Sequence, residues 1–410
     1  MSFTKDDATR ELEQYASDVA AVRAKAMAFP NGIATADACL TVADTYFSSA
    51  NTSFAGGRWQ QAVDNLTSGR FYLDLATEVV EEYQAQTQFF AAEAATKLKL
   101  PEYPEPNYCD GDQESNNYEW RGLALLLAKA EASVDQFIPD DEHALWCIDQ
   151  ALDYLNELYD TDDWDNVAPY SRDGRLYANL AIELVRQFLQ ARDDQSALAK
   201  LKDAEENYLL ELSEEDDDDT SAAADWLWSA VTETHKGYLE CQRDCPNTKL
   251  VATHIEEAIA FRDAARDKYW DEEWNDAGWQ ACEAVFLGKL AVEMSSTYAR
   301  EVRLLVEGPG TYEADIDEAD YTEDSDDSDR QDALEQWRQV AIRGVKAQAY
   351  LDSKASGFTA GEGFLQTAIG YIDNVKQADD WDDVSDPLRD AKYYFNLAVQ
   401  KARSFVANNR

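Results

Sequence analysis

Histidine, methionine and basic residues are scarce in this chain of 410 residues. It has three histidines, three methionines and 36 lysines and arginines. Three scattered histidines do not give the ligand spacing of a zinc site, and the six cysteines contain no Cys-x-x-Cys pair. Motifs for nucleotide binding, for a nucleophilic serine and for a zinc protease are also missing. We therefore expect reduced, buried thiols, no metal, no cofactor and no catalytic residue.

Long apolar runs are missing as well. No stretch of 18 consecutive apolar residues occurs, so the sequence predicts no membrane span. The first residues, MSFTKDDATRELEQ, have neither the apolar core of a secretory signal nor a twin-arginine motif. We therefore expect a chain without a signal peptide, located in the cytoplasm or in a virus particle.

Negative charge is the most abundant feature. The chain has 82 acidic and 36 basic residues, which gives a net charge of −46. This charge repels itself at low ionic strength, whereas about 1 M salt shortens the Debye length to roughly 3 Å. The acidity extends over the whole chain, which favours a protein of an extreme halophile or its virus, in concentrated K⁺ or Na⁺. An ordinary acidic protein is the alternative. Without a basic cluster we expect no nucleic-acid partner, and other proteins or further copies as partners.

A fourfold repeat is present, aligned on four tryptophans that are 105, 110 and 107 residues apart. Each tryptophan is followed by a leucine after sixteen residues, by an alanine after seventeen, and by a glycine or alanine after ten. The apolar spacing alternates between three and four residues, which predicts an amphipathic helix. The repeat anchors are Trp59, Trp164, Trp274, Trp381, Leu75, Leu180, Leu290, Leu397, Ala76, Ala181, Ala291 and Ala398. We expect all four leucines to be buried.

A second match lies upstream of three of these tryptophans, at Val22–Ala26, Ala128–Ala132 and Val345–Ala349. Proline and glycine at 29–32, 138–141 and 244–248 predict breaks between helices. The sequence therefore predicts an all-α fold of four tandem three-helix-bundle repeats of about 105 residues. The predicted repeats are 1–102, 114–213, 221–308 (the most diverged) and 330–410, and the predicted acidic linkers or loops are 103–113, 214–220 and 309–329. A further helix is predicted within 195–215.

Clustered carboxylates precede the repeat tryptophan, as in Asp162 and Asp163 beside Trp164. Such a cluster can bind Mg²⁺, or it can form the turn that begins a helix. The first repeat has Gly57 and Arg58 at the two matching positions, so a metal site would be missing there. We therefore favour a capping turn, with metal binding as the alternative.

The sequence indicates a class of function rather than an activity. We expect a non-catalytic structural or protein-interaction scaffold, part of a larger assembly such as a virion. The alternative is a helical-bundle enzyme, or a binder of a small ligand or metal, with its site in the third repeat. The residues of that alternative are His235, His254, Cys241 and Cys245.

Overall fold

The fold is built from helices. The computed structural model describes residues 3–91, 111–160, 164–201, 218–307, 328–375 and 384–408, and these ranges form thirteen α-helices without a strand. The helices are α1 (Lys5–Ala26), α2 (Ala34–Ala55), α3 (Trp59–Ala91), α4 (Gly111–Phe137), α5 (Glu142–Asp160), α6 (Trp164–Ala191), α7 (Gln195–Leu201), α8 (Asp218–Asp244), α9 (Lys249–Trp270), α10 (Trp274–Glu307), α11 (Ser328–Lys354), α12 (Thr359–Val375) and α13 (Ser385–Asn408). The prediction of an all-α fold is confirmed. None of these helices is long and apolar enough to span a membrane.

Helices end where the sequence predicts breaks. The gaps between α1 and α2, between α4 and α5, and between α8 and α9 coincide with the three predicted turns. At the first of them Gly32 has a φ of +73°, a conformation that favours glycine. The additional helix predicted within 195–215 is α7, which is described only to Leu201. The predicted linkers lie largely outside the described residues, and α4, α8 and α11 begin within their last residues.

The chain divides into two compact units, Met1–Glu214 and Glu215–Arg410. In the first unit α1, α2 and α3 pack on one another, and so do α4, α5 and α6. Helix α3 also packs along α4, and the short α7 contacts α6 and α3. In the second unit α8, α9 and α10 form one group, α11, α12 and α13 form another, and α10 packs along α11.

Small residues allow close helix packing at the tenth position after the repeat tryptophan. Gly69 of α3 lies so close to α1 and α2 that an added Cβ would be 2.5 Å from the Tyr15 hydroxyl and 2.8 Å from Tyr46 Cβ. In α6 an added Cβ on Gly174 would be 2.5 Å from a methyl group of Leu123. The matching positions in α10 and α13 are alanines that are fully buried. Close approach of neighbouring helices therefore requires a small side chain here.

The repeat leucines are buried in three helices out of four. Leu75, Leu180 and Leu290 are at most 2% exposed, as expected. The expectation is wrong for Leu397, which is only partly buried. In α3 and α10 the corresponding side of the helix faces α4 and α11, whereas α13 is the last helix described and no later helix packs on it. The alanines that follow all four leucines are fully buried.

The turn before the repeat tryptophan terminates the preceding helix. Helices α3, α6 and α10 begin at Trp59, Trp164 and Trp274, and Trp381 lies outside the described residues. Gly57 and Glu272, each two residues before the tryptophan, have φ values of +74° and +61° and terminate α2 and α9. Asp162 and Asp163 lie outside the described residues, so the capping-turn interpretation of that cluster stays a prediction.

We predict that Gly69→Ala destabilises the protein by about 1–3 kcal/mol, because the new methyl group must displace Tyr15 of α1 and Tyr46 of α2. Gly370→Ala is the matched control, since Gly370 lies within α12 with nothing within 4 Å of an added Cβ. The control should stabilise by about 0.5–1 kcal/mol through helix propensity. Thermal unfolding of both variants measures this, and equal shifts would contradict the packing argument.

Candidate functional site

The junction between α3 and α4 is held by polar pairs within an apolar contact. Arg121 Nε donates to Glu78 Oε2 over 2.7 Å. About one and a half turns farther along α3, the Tyr83 hydroxyl donates to Asp135 Oδ2 over 2.5 Å. Tyr72 packs edge-on against Trp120, with ring centroids 5.4 Å apart. Burial raises the pKa of Glu78, and Arg121 opposes this shift by stabilising the carboxylate.

The same pairs recur between α10 and α11. Arg338 donates through Nε and Nη2 to the two oxygens of Glu293 over 2.8 and 2.7 Å. The Tyr298 hydroxyl donates to Asp352 Oδ2 over 2.8 Å. Glu78 and Glu293 each follow their repeat tryptophan by nineteen residues, while Arg121 and Arg338 directly follow Trp120 and Trp337. The two units thus use one junction chemistry at matching sequence positions.

The indole N–H of Trp337 has a hydrogen-bond acceptor that its counterpart Trp120 lacks within the described part of the chain. Trp337 Nε1 donates to His254 Nε2 over 3.2 Å, and His254 Nδ1 lies 2.7 Å from the Leu250 carbonyl oxygen. In the first unit Cys39 stands at the position of His254, and Trp120 Nε1 is buried without a hydrogen-bond acceptor among the described residues. Burial raises the pKa of the Cys39 thiol to about 12. His254 therefore links α9 to α11 through Nε2, whereas its Nδ1 bonds within α9.

The third-repeat residues of the alternative site are all buried, at most 5% exposed, but the structure assigns them different surroundings. The His235 ring stacks on Tyr238, with centroids 6.4 Å apart. Cys241 and Cys245 lie at the end of α8, where Cys245 Sγ is 3.3 Å from Ser295 Oγ. Hydrogen bonding with the Cys241 thiol lowers the pKa of Cys245. Within the described ranges, no group of three His, Cys, Asp or Glu residues is placed to hold a metal ion.

Glu131 of α4 is an ionisable side chain within the core of the first unit. Its carboxylate accepts the backbone N–H of Thr35 over 3.2 Å, at the amino-terminal end of α2. Burial raises its pKa to about 8, although the bonds from Thr35 oppose this shift and the nearby Asp135 adds to it. Gln348 occupies the matching position in α11, eleven residues after Trp337. The second unit therefore has a neutral side chain where the first has a carboxyl group.

An aromatic surface remains exposed in the second unit. Trp279 in α10 is 54% exposed, and its neighbour Gly278 faces Trp226 of α8, whose Cδ1 would lie 4.0 Å from an added Cβ. We call Trp226, Gly278 and Trp279 the α8–α10 aromatic surface. Trp270, at the end of α9, is 38% exposed. Exposed tryptophan is costly in water and is enriched at the centres of protein interfaces.

No protein-family model, curated protein or solved structure matches the chain.

Sequence reasoning missed the junction pairs and the aromatic surface. The Trp-Arg dipeptides at 120–121 and 337–338 were a visible signal for the junction, since the arginine recurs with its tryptophan. The partners of these arginines are 43 and 45 residues away in sequence. No local pattern specifies such a pairing, and none indicates that Trp279 is exposed while Trp337 is buried.

We predict that Glu131→Gln makes the protein more stable above pH 8 and leaves it unchanged near pH 4. A carboxyl group with a folded pKa near 8 and an unfolded value near 4.5 binds its proton more tightly when folded. The stability that the protonated Glu131 carboxyl group contributes to the folded state is therefore complete below about pH 4.5. It is lost as the pH rises through 8. The expected gain in unfolding free energy at pH 9 is on the order of 1–4 kcal/mol.

The measurement is chemical denaturation from pH 4 to 9 of the wild type, Glu131→Gln and the control Glu13→Gln. Glu13 is exposed on α1, so its variant removes one negative charge without altering the core. The difference between wild type and Glu131→Gln should grow across this range, while the control stays parallel to the wild type. Parallel curves for Glu131→Gln would contradict the buried, proton-binding state of this residue.

Proposed function

We propose that the protein is a non-catalytic structural or protein-interaction scaffold of an extreme halophile or one of its viruses. We also propose that its helices form four tandem three-helix repeats. Helix starts at Trp59, Trp164 and Trp274 and the recurring junction pairs support this organisation. In such a repeat protein each group of helices contacts its neighbours and leaves long surfaces for partners. We place it in the cytoplasm or in a virus particle, as part of a larger assembly such as a virion.

The observation that carries this proposal is the α8–α10 aromatic surface. The chain has a net charge of −46, yet the apolar side chain of Trp279 is more than half exposed on a regular helix. Aromatic side chains with low rotamer entropy contribute strongly to binding when a partner covers them. A protein partner is the simplest reason for keeping such a side chain on this surface.

Capture of interacting proteins in molar KCl tests the proposal. Tagged wild type should retain a stoichiometric protein partner from extracts of the source cells, Trp279→Ser should lose it, and Leu145→Ser should keep it. Leu145 is a suitable control because it is an exposed apolar residue of α5, in the other unit. Substrate turnover by the purified protein would contradict a non-catalytic role, and equal capture by wild type and Trp279→Ser would contradict the role of the aromatic surface.

We predict that the fold weakens as KCl is diluted well below 1 M, because the repulsion among 46 excess negative charges is then no longer screened. Thermal unfolding followed by circular dichroism across a salt series measures the effect. NaCl at equal concentration should act like KCl, since screening depends on ionic strength. A melting temperature that stays constant from low to molar salt would contradict the halophilic assignment.

A further inference from the structure

The first unit contains a polar contact between α4 and α6 that is complete in itself. Glu119 Oε2 of α4 accepts hydrogen bonds from Ser171 Oγ over 2.7 Å and from Arg175 Nη2 over 3.3 Å. Both donors belong to α6. The Arg175 guanidinium lies against Gly122 of α4 and leaves no room for a Cβ there. A cation and a carboxylate of the same chain therefore satisfy each other between these two helices.

The second unit keeps the cation of this contact but not the carboxylate. Counted from the aligned tryptophans, α13 has Lys392 where α6 has Arg175, and α11 has Gln336 where α4 has Glu119. The glycine beneath the guanidinium is replaced by Gln339. Lys392 is exposed, and no residue within the described ranges forms an ion pair with it. The substitution of glutamine for glutamate thus leaves a cation without its internal partner.

A cleft with a basic lining lies at this place between α11 and α13. Its polar lining residues are Gln336, Gln339, Arg343, Arg389 and Lys392. Three of these five are cations and none of the described lining residues is acidic, in a chain that has 82 acidic and 36 basic residues. We call this place the α11–α13 cleft. Its composition is the reverse of what the overall charge of the chain predicts.

The two arginines of the cleft supply further donors. Arg343 stands where α4 has the apolar Leu126, so this cation is specific to the second unit. Its Nη1 donates to the neutral Asn396 Oδ1 over 3.1 Å. Arg389 pairs with Asp386 at 2.7 Å, and both side chains of this pair are exposed, so the pair is weak. A guanidinium has five N–H donors, and a single acceptor does not exhaust them.

We propose that the α11–α13 cleft binds a small organic acid, whose carboxylate takes the part that the Glu119 carboxylate has in the first unit. Lys392 supplies the charge, and the planar guanidinium of Arg343 matches the two oxygens of a carboxylate. Val340 and Leu388, which also line the cleft, are buried and offer an apolar contact to the carbon chain of the acid.

The size of the cleft selects the class of acid. Its free volume is about 170 Å³, below the roughly 300–1,000 Å³ of pockets that hold drug-sized ligands. A dicarboxylic acid of a few carbons is small enough, and its second carboxylate gives the other cations a partner. This inference goes beyond the proposed scaffold function and does not depend on it.

Isothermal titration calorimetry of the full chain with potassium succinate in 1 M KCl tests the inference. A titration with KCl of equal ionic strength gives the blank, so that general salt effects are subtracted. Lys392→Gln removes the unpaired cation, and Gln336→Glu restores the carboxylate that the first unit has. Lys401→Gln is the matched control, because Lys401 is an exposed lysine of α13 that does not line the cleft. Circular dichroism confirms that each variant is folded.

Wild type and Lys401→Gln should bind succinate equally, and Lys392→Gln should bind it about 10- to 100-fold more weakly, as the loss of a charged hydrogen-bond donor predicts. Gln336→Glu should no longer bind succinate, because its own carboxylate occupies the cleft. A wild type that does not bind succinate, or a Gln336→Glu variant that binds it as the wild type does, would overturn the inference. Binding of hexaglutamate without binding of succinate would overturn the assignment to a small acid. None of these results changes the capture of a partner through Trp279, which tests the scaffold function separately.

Discussion

Within each unit the fold depends on the close parallel contact between the long third helix of its first helix group and the first helix of its second group. An aromatic pair, an arginine–carboxylate pair and a tyrosine–aspartate pair follow one another along this contact in both units. Burying Arg338 to 2% exposure would be costly if it were unpaired, and its bidentate bonds to Glu293 offset that cost. The polar pairs also fix the register of two helices whose apolar residues alone would allow sliding.

The net charge of −46 limits where such pairs can form. Only 36 basic residues are available for 82 acids, so the acids cannot be matched one to one by basic residues, and salt must screen the remaining repulsion. Two of these few basic residues, Arg121 and Arg338, nevertheless lie at the α3–α4 and α10–α11 junctions. This use of scarce arginine indicates that the junctions contribute more to the structure than surface ion pairs, which are worth about 0–1 kcal/mol.

Much of the helical architecture could be predicted from the sequence, because helices reveal themselves by local periodicity. The alignment on Trp59, Trp164 and Trp274 gives the first residues of three helices, and the leucine sixteen residues later is buried in each. Burial of Leu397 could not be judged in this way, since it depends on whether another helix covers α13. Nor could the contact between Thr35 and Glu131, which are 96 residues apart, be inferred from local patterns.

The candidate site was harder to predict than the fold because its contacts join residues that are distant in sequence, and such contacts leave no local pattern. His254, Cys241 and Cys245 suggested a ligand site because their side chains can coordinate metals, yet His254 bonds to Trp337 across a helix junction. A histidine bound at both ring nitrogens and a histidine that coordinates metal look alike in sequence. Exposure of Trp279 likewise depends on which neighbours the fold provides, and not on the residues beside it.

Double-mutant cycles at the two junctions test the central claim most directly, namely that both units depend on one recurring contact. The pairs are Glu78 with Arg121 and Glu293 with Arg338, each replaced by glutamine singly and together in the full chain. The account predicts favourable coupling of about 0.5–3 kcal/mol for both pairs in molar KCl, and the larger value for the more deeply buried Arg338. Zero coupling at either junction would contradict it.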